Sequence, residues 1–182
     1  MPGYEFPFNE RVRILLRIED LFKKVLLNVE ASHPQHHQSA LIYLFQIMDI
    51  IDRVDIRIDL LQELDKQKQT MLSLRGNPVI SEKVLDSVLT EIESAANTLR
   101  SHNTGRLGQH IRDNEWLTSI RQRSLIPGGL CEFDIPSYHH WLNHDDARRK
   151  KDFDQWLAPL MPMHNAISTI LHILRGSGES VQ

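Results

Sequence analysis

Arg121-Gln122-Arg123-Ser124-Leu125-Ile126-Pro127-Gly128-Gly129-Leu130-Cys131-Glu132-Phe133-Asp134-Ile135-Pro136 is the stretch on which the reading of this chain turns. Every long segment elsewhere repeats apolar residues at helical spacing, and this one does not. Arg121 and Arg123 close a helical pattern with fixed positive charge. Pro127-Gly128-Gly129 is a strong breaker cluster. Beyond it the chain alternates. Cys131, Phe133 and Ile135 would face one side of a strand, and Glu132 and Asp134 the other. On that pattern Cys131 is an inert, inward thiol. A strand this short needs partners. Two readings follow: a buried extended crossover between helices, or a junction between a helical body and a small sheet with arginines held beside it.

Outward from that stretch, the N-terminal residues Tyr4, Phe6 and Phe8 alternate with Glu5 and Pro7. They read as a short edge strand, because Pro7 cannot donate to a ladder. The rest is helix. Val12, Leu15, Leu16, Phe22, Val25, Leu26 and Val29 form the core stripe of a first helix from about Glu10 to Val29. Further helices run over about Gln38–Arg53, Asp55–Leu74, Ser81–Arg100, Asn114–Arg123, Ser137–Leu142 and Pro162–Leu174, with another beginning at Arg148. Ser32 to His37 reads as a linker broken by Pro34. The expected class is mainly α: a multi-helix bundle with a minor β element, strands near 4–8 and 130–135. Residues 1–176 would form one helical domain and 177–182 a tail.

At 182 residues, 41% of them hydrophobic and 25% charged, the chain can build a sizeable core. The formal charge of −3 does not suggest a nucleic-acid binder. The single cysteine rules out an internal disulfide and a cysteine-based zinc site. No run of about 18 apolar residues is present, so no membrane insertion is expected.

Candidate chemistry is sparse. Three histidines, His33, His36 and His37, invite a metal reading, but the second E-x-x-H motif and the extra glutamates of a di-iron bundle are missing. His139 and His140 beside Trp141 read as packed residues. No serine or cysteine nucleophile has a spaced base. Arg148-Arg149-Lys150-Lys151 is flanked by aspartates and reads as a solvated face. What stands out is arginine. Arg13 and Arg17 share one side of the first helix. Arg53 and Arg57 straddle the next helix joint, where Asp49, Asp52, Asp55 and Asp59 could neutralise them. Arg112, Arg121 and Arg123 surround one short helix, and guanidinium groups there could grip carboxylates in bidentate fashion. The negative findings favour a binding protein over an enzyme, with no cofactor and no metal.

Several motifs together resemble the ZapD (YacF) family of Z-ring-associated bacterial cell-division proteins. They are L-x-R-I-E at Leu15 to Glu19, L-x-x-L-D at Leu61 to Asp65, I-R-Q-R-S-L-I-P-G-G at Ile120 to Gly129, and C-x-F-D-I-P-x-x-H-x-W-L at Cys131 to Leu142. The resemblance implies a helical domain followed by a C-terminal β-rich domain, which would continue where this sequence stops at Gln182. It implies a cytoplasmic homodimer, recruited to mid-cell, that binds the C-terminal tail of the tubulin-like protein FtsZ and so crosslinks and bundles its filaments. By position in the motifs, it points to Arg17, Arg53, Arg57, Arg112, Arg121, Arg123 and His139 as candidates for a basic, tail-binding surface. Competing readings are a helical scaffold for another partner, a metal protein or enzyme using His36, His37 and His139, and nucleic-acid binding through Arg148 to Lys151.

Overall fold

The computed structural model describes residues 6, 7, 9–101 and 105–177. Their regular structure is helical: α1 (Glu10–Glu30), α2 (Pro34–Ile51), α3 (Ile56–Ser73), α4 (Glu82–Ser101), α5 (Gln109–Arg112), α6 (Glu115–Ser124), α7 (Pro136–Leu142), α8 (Asp146–Leu157) and α9 (Met161–Ser177), with a 3₁₀ turn at Ala158–Leu160. Asn9, Asp55, Asn114 and Asp145 accept from backbone N–H groups in the first turns of α1, α3, α6 and α8. Pro34 does not break a helix but opens one. It occupies the first turn of α2, where a missing N–H costs nothing, and His33 Nδ1 caps the turn by accepting from Gln35 N.

The chain forms two compact units. The first comprises residues 1–19, 55–104 and 161–182. In it α3, α4 and α9 pack on one another, burying Leu60, Leu64, Leu85, Ile92, Leu99, Met163, Ile167 and Ile170. Its edges are laced by Arg11 to Asp59 (3.1 Å) and by Arg175 to Glu19 (2.6 Å). The second unit comprises residues 20–54 and 105–160. Its core joins the apolar face of α2 to an aromatic cluster of Trp116, Tyr138, Trp141, Phe153 and Trp156. Ring centroids there lie 5.2 to 6.5 Å apart, the range of edge-to-face and offset stacking.

The expected β element is absent among the described residues. The strand placed near 4–8 falls largely outside them, and Phe6 and Pro7 are not in a strand. Residues 130–135 are a succession of tight turns. Gly128 takes a positive φ of 72°, and a Cβ at Gly129 would lie 2.3 Å from the Arg123 carbonyl oxygen, so the chain folds back on the end of α6. Backbone bonds then run over three or four residues, from Gly129 N to Ile126 O, Cys131 N to Gly128 O and Asp134 N to Cys131 O. With no partner strand, these short-range bonds satisfy the groups a ladder would have used. The alternation loses its meaning accordingly. Ile135 is buried at the head of α7, but Cys131 is exposed and Phe133 is 81% exposed, so the thiol is not an inward core group.

Candidate basic surface and the groups that hold it

The seven candidate residues fall into two kinds, those enclosed by the protein and those presented to solvent. Arg112, Arg121 and Arg53 gather around the C-terminal turn of α2 in the second unit. Asp49 in the last turn of α2 and Asp52 at its C-cap lie three apart with helical backbone, so their carboxylates share a face. Arg121, from α6, donates from one terminal nitrogen to Asp49 Oδ1 (2.5 Å) and Asp52 Oδ2 (2.8 Å). Arg112, at the end of α5, donates to Asp52 Oδ1 through Nε (2.7 Å) and Nη2 (2.5 Å), and to the Leu107 carbonyl. Arg106 Nη2 reaches the Asp52 carbonyl oxygen at 2.8 Å. Burial pushes the Asp52 carboxyl up, but the bonds from Arg121 and then Arg112 outweigh it and hold the group below its ordinary range. The same pairs overcome burial at Arg121 and raise its guanidinium further.

Gly108 makes this packing possible. It precedes α5 with φ at 77°, and a Cβ there would stand 2.7 Å from the Met48 side chain. Asp49 and Asp52 thus neutralise Arg112 and Arg121, not the Arg53 and Arg57 that are nearer in sequence.

Arg57, in the first unit, donates to the Leu99 (2.8 Å) and Arg100 (3.2 Å) carbonyl oxygens. It caps the C-terminal end of α4, where orphan carbonyls and the helix dipole favour a cation. Arg123 is half exposed and makes a long pair with Asp134 (3.6 Å). His139 is similarly exposed, with Glu132 3.5 Å away. Arg17 on α1 and Arg53 in the turn after α2 are exposed, and no ion pair or side-chain hydrogen bond engages either among the described residues.

One charged residue escaped the sequence reading. Arg149 is 3% exposed, so the 148–151 run is not uniformly a solvated face. Its side chain donates to His37 Nδ1 (2.7 Å), to the Leu142 (3.0 Å) and Ser32 (2.8 Å) carbonyl oxygens, and to that of His144. The signal was present in the periodicity. Arg149, Phe153 and Leu157 recur every four residues on one helix face, and all three are buried. His37 likewise lies on the stripe of Leu41, Leu44 and Met48, fully buried. Both of its ring nitrogens are engaged, one with Arg149 and the other with the Val29 carbonyl oxygen.

No helix among the described residues is long and apolar enough to cross a membrane. The profile of the family described as ZapD, cell division protein, matches residues 16–182. The chain is 47% identical over 182 residues to cell division protein ZapD of Azoarcus sp. strain BH72, covering 100% of this chain and 72% of the relative. It is 49% identical over 177 residues to the proteins of the same name from Ralstonia nicotianae and Ralstonia pickettii strain 12J, covering 97% of this chain and 70% of each relative. With the match running through both compact units and through the arginines of the Asp52 node, the chain belongs to the ZapD family of cell division proteins.

Proposed function

We propose that this chain is a non-enzymatic division factor that binds the C-terminal tail of FtsZ through exposed arginines. As a homodimer in the cytoplasm at mid-cell, it crosslinks FtsZ filaments into bundles that stabilise the Z-ring. The observation that carries the reading is membership of the ZapD family over nearly the whole chain. The geometry supports a division of labour among the candidate residues. Arg17, Arg53, Arg123 and His139 are the exposed groups that meet the partner. Arg57, Arg112 and Arg121 are supports, since their donors are already occupied by helix carbonyls or aspartates.

The mechanism is electrostatic. Exposed arginines attract an acidic tail and fix it by charge-assisted hydrogen bonds. Each such pair contributes only about 0–1 kcal/mol, so one site alone binds weakly. A dimer carrying two sites gains strength along a filament by raising effective concentration, without new contacts. The test is sedimentation of FtsZ polymers with this chain, with intact FtsZ and with FtsZ lacking its C-terminal tail, at low and high salt. Pelleted bundles that need the tail and dissolve with salt support the reading. Bundles that form without the tail, or that ignore salt, overturn it.

A further inference from the structure

The buried contact between His37 and Arg149 has only one consistent arrangement of protons. A guanidinium offers donors and no acceptor, so His37 Nδ1, 2.7 Å from Arg149 Nε, must be the unprotonated nitrogen. The ring proton is then on Nε2, which donates to the Val29 carbonyl oxygen at 3.1 Å. Arg149 has no carboxylate bonded to it among the described residues. Its charge is met by the carbonyls of Ser32, Leu142 and His144 and by this neutral ring. A second ring proton could go only to Nδ1, where it would face the Arg149 Nε–H. Two donors and two positive charges cannot hold that contact in a buried setting.

We propose that His37 and Arg149 form an acid-sensitive latch. While His37 is neutral, Arg149 ties the turn between α1 and α2, at Ser32, to the turn between α7 and α8, at Leu142 and His144; protonation of His37 at Nδ1 opens that tie.

The surrounding groups are consistent with this. From α8, Asp146 Oδ1 stands 3.7 Å from His37 Nε2 and favours a charged ring. Its other oxygen is already held by Lys150 (2.7 Å) and by the Ser32 hydroxyl (3.1 Å). From α8 also, Phe153 sets its ring edge-to-face against the imidazole at 5.6 Å. On α2, His36 turns away to Asn28. In the α7–α8 turn, the His144 ring stands against His140 rather than His37. Burial above all, against the pull of the Val29 carbonyl and with the charge of Arg149 added, holds His37 below its ordinary value of 6.5 despite Asp146. The sign follows. The unfolded chain takes up this proton below pH 6.5 and the folded chain does not, so the latch is intact above that pH. Below it, the folding equilibrium falls by up to about tenfold per pH unit until the folded group itself titrates.

The test is ¹⁵N NMR of the histidine side chains in the wild-type chain from pH 8 to 5, with amide exchange over residues 32–33 and 142–146 followed in parallel. The expected result is an Nε2–H tautomer for His37, neutral at pH 6.5, with exchange in both turns, corrected for its intrinsic pH dependence, quickening as the ring takes its proton. An Nδ1–H tautomer, a midpoint at or above 6.5, or turns that stay protected after His37 is charged would overturn the latch. A second arm uses His37→Gln, whose amide can still accept from Arg149 and donate to Val29 but cannot titrate. That variant should lose the tenfold-per-unit decline just below pH 6.5. A decline parallel to wild type would assign it elsewhere, for example to half-buried His164, which is also shifted downward. Should the variant not fold, the wild-type spectra decide alone.

Discussion

Two arginine nodes of the second unit solve the same problem in opposite ways. At the end of α2, Arg112 and Arg121 meet aspartates, and the groups involved keep partial contact with water. Under α8, Arg149 is removed from water and, among the described residues, meets three carbonyls and a neutral histidine but no carboxylate. The difference shows what each node can tolerate. The first is a neutralised pair of charges with solvent in reserve. The second depends on one neighbour staying neutral, so it is both the more costly to break and the more sensitive to mild acid.

The largest expected effect is therefore at Arg149. Arg149→Met keeps the stem but leaves His37 Nδ1 and three carbonyls without their donor, and should lower stability by about 3–5 kcal/mol in urea titration at pH 7.5. A loss within about 1 kcal/mol would erase the contrast between the nodes. Asp52→Asn comes next, at about 1–3 kcal/mol, since Arg121 retains Asp49 and water can reach the site. The two nodes also separate on the pH axis. Because the Asp52 carboxyl is held below its ordinary 3.8, its contribution is complete above that value and is lost as pH falls through the lower folded one. Asp52→Asn should thus blunt acid unfolding only below about pH 3.8, whereas the His37 latch acts from 6.5 downward.

Tyr138→Phe should go the other way. The Tyr138 hydroxyl is buried without a partner among the described residues, and burial pushes its ionisation well above the ordinary phenol range. Removing it should raise stability by about 1 kcal/mol. A loss of that size would mean the hydroxyl is satisfied in solution. Arg17→Ala and Arg53→Ala should be the smallest, each within about 0.5 kcal/mol in thermal unfolding, because both side chains are exposed and engage no partner among the described residues.

The helices were legible because their apolar periodicity is sustained, as along α1, where Leu15, Phe22, Val25 and Val29 are all buried. The 130–135 stretch misled because alternation signals a strand only where another strand can pair with it, and none lies among the described residues. The motifs that carry the arginines pointed to the family that the comparison then showed. Their partners were not legible. Asp52 binds Arg112 and Arg121 at separations of 60 and 69 residues, while Arg53 beside it is exposed to solvent. Proximity in sequence favoured the wrong pairing, because a helix turns adjacent side chains to different faces. Arg149 was hidden by its neighbours, since a run of charge draws attention away from the four-residue spacing that places one member in the core.

The most direct test of the account is FtsZ co-sedimentation by the Arg17→Ala/Arg53→Ala double variant beside wild type, after confirming that both melt at the same temperature. The variant should stay folded and lose tail-dependent pelleting, because Arg17 and Arg53 are exposed and engage no other side chain among the described residues. Full tail-dependent pelleting by the double variant would contradict it.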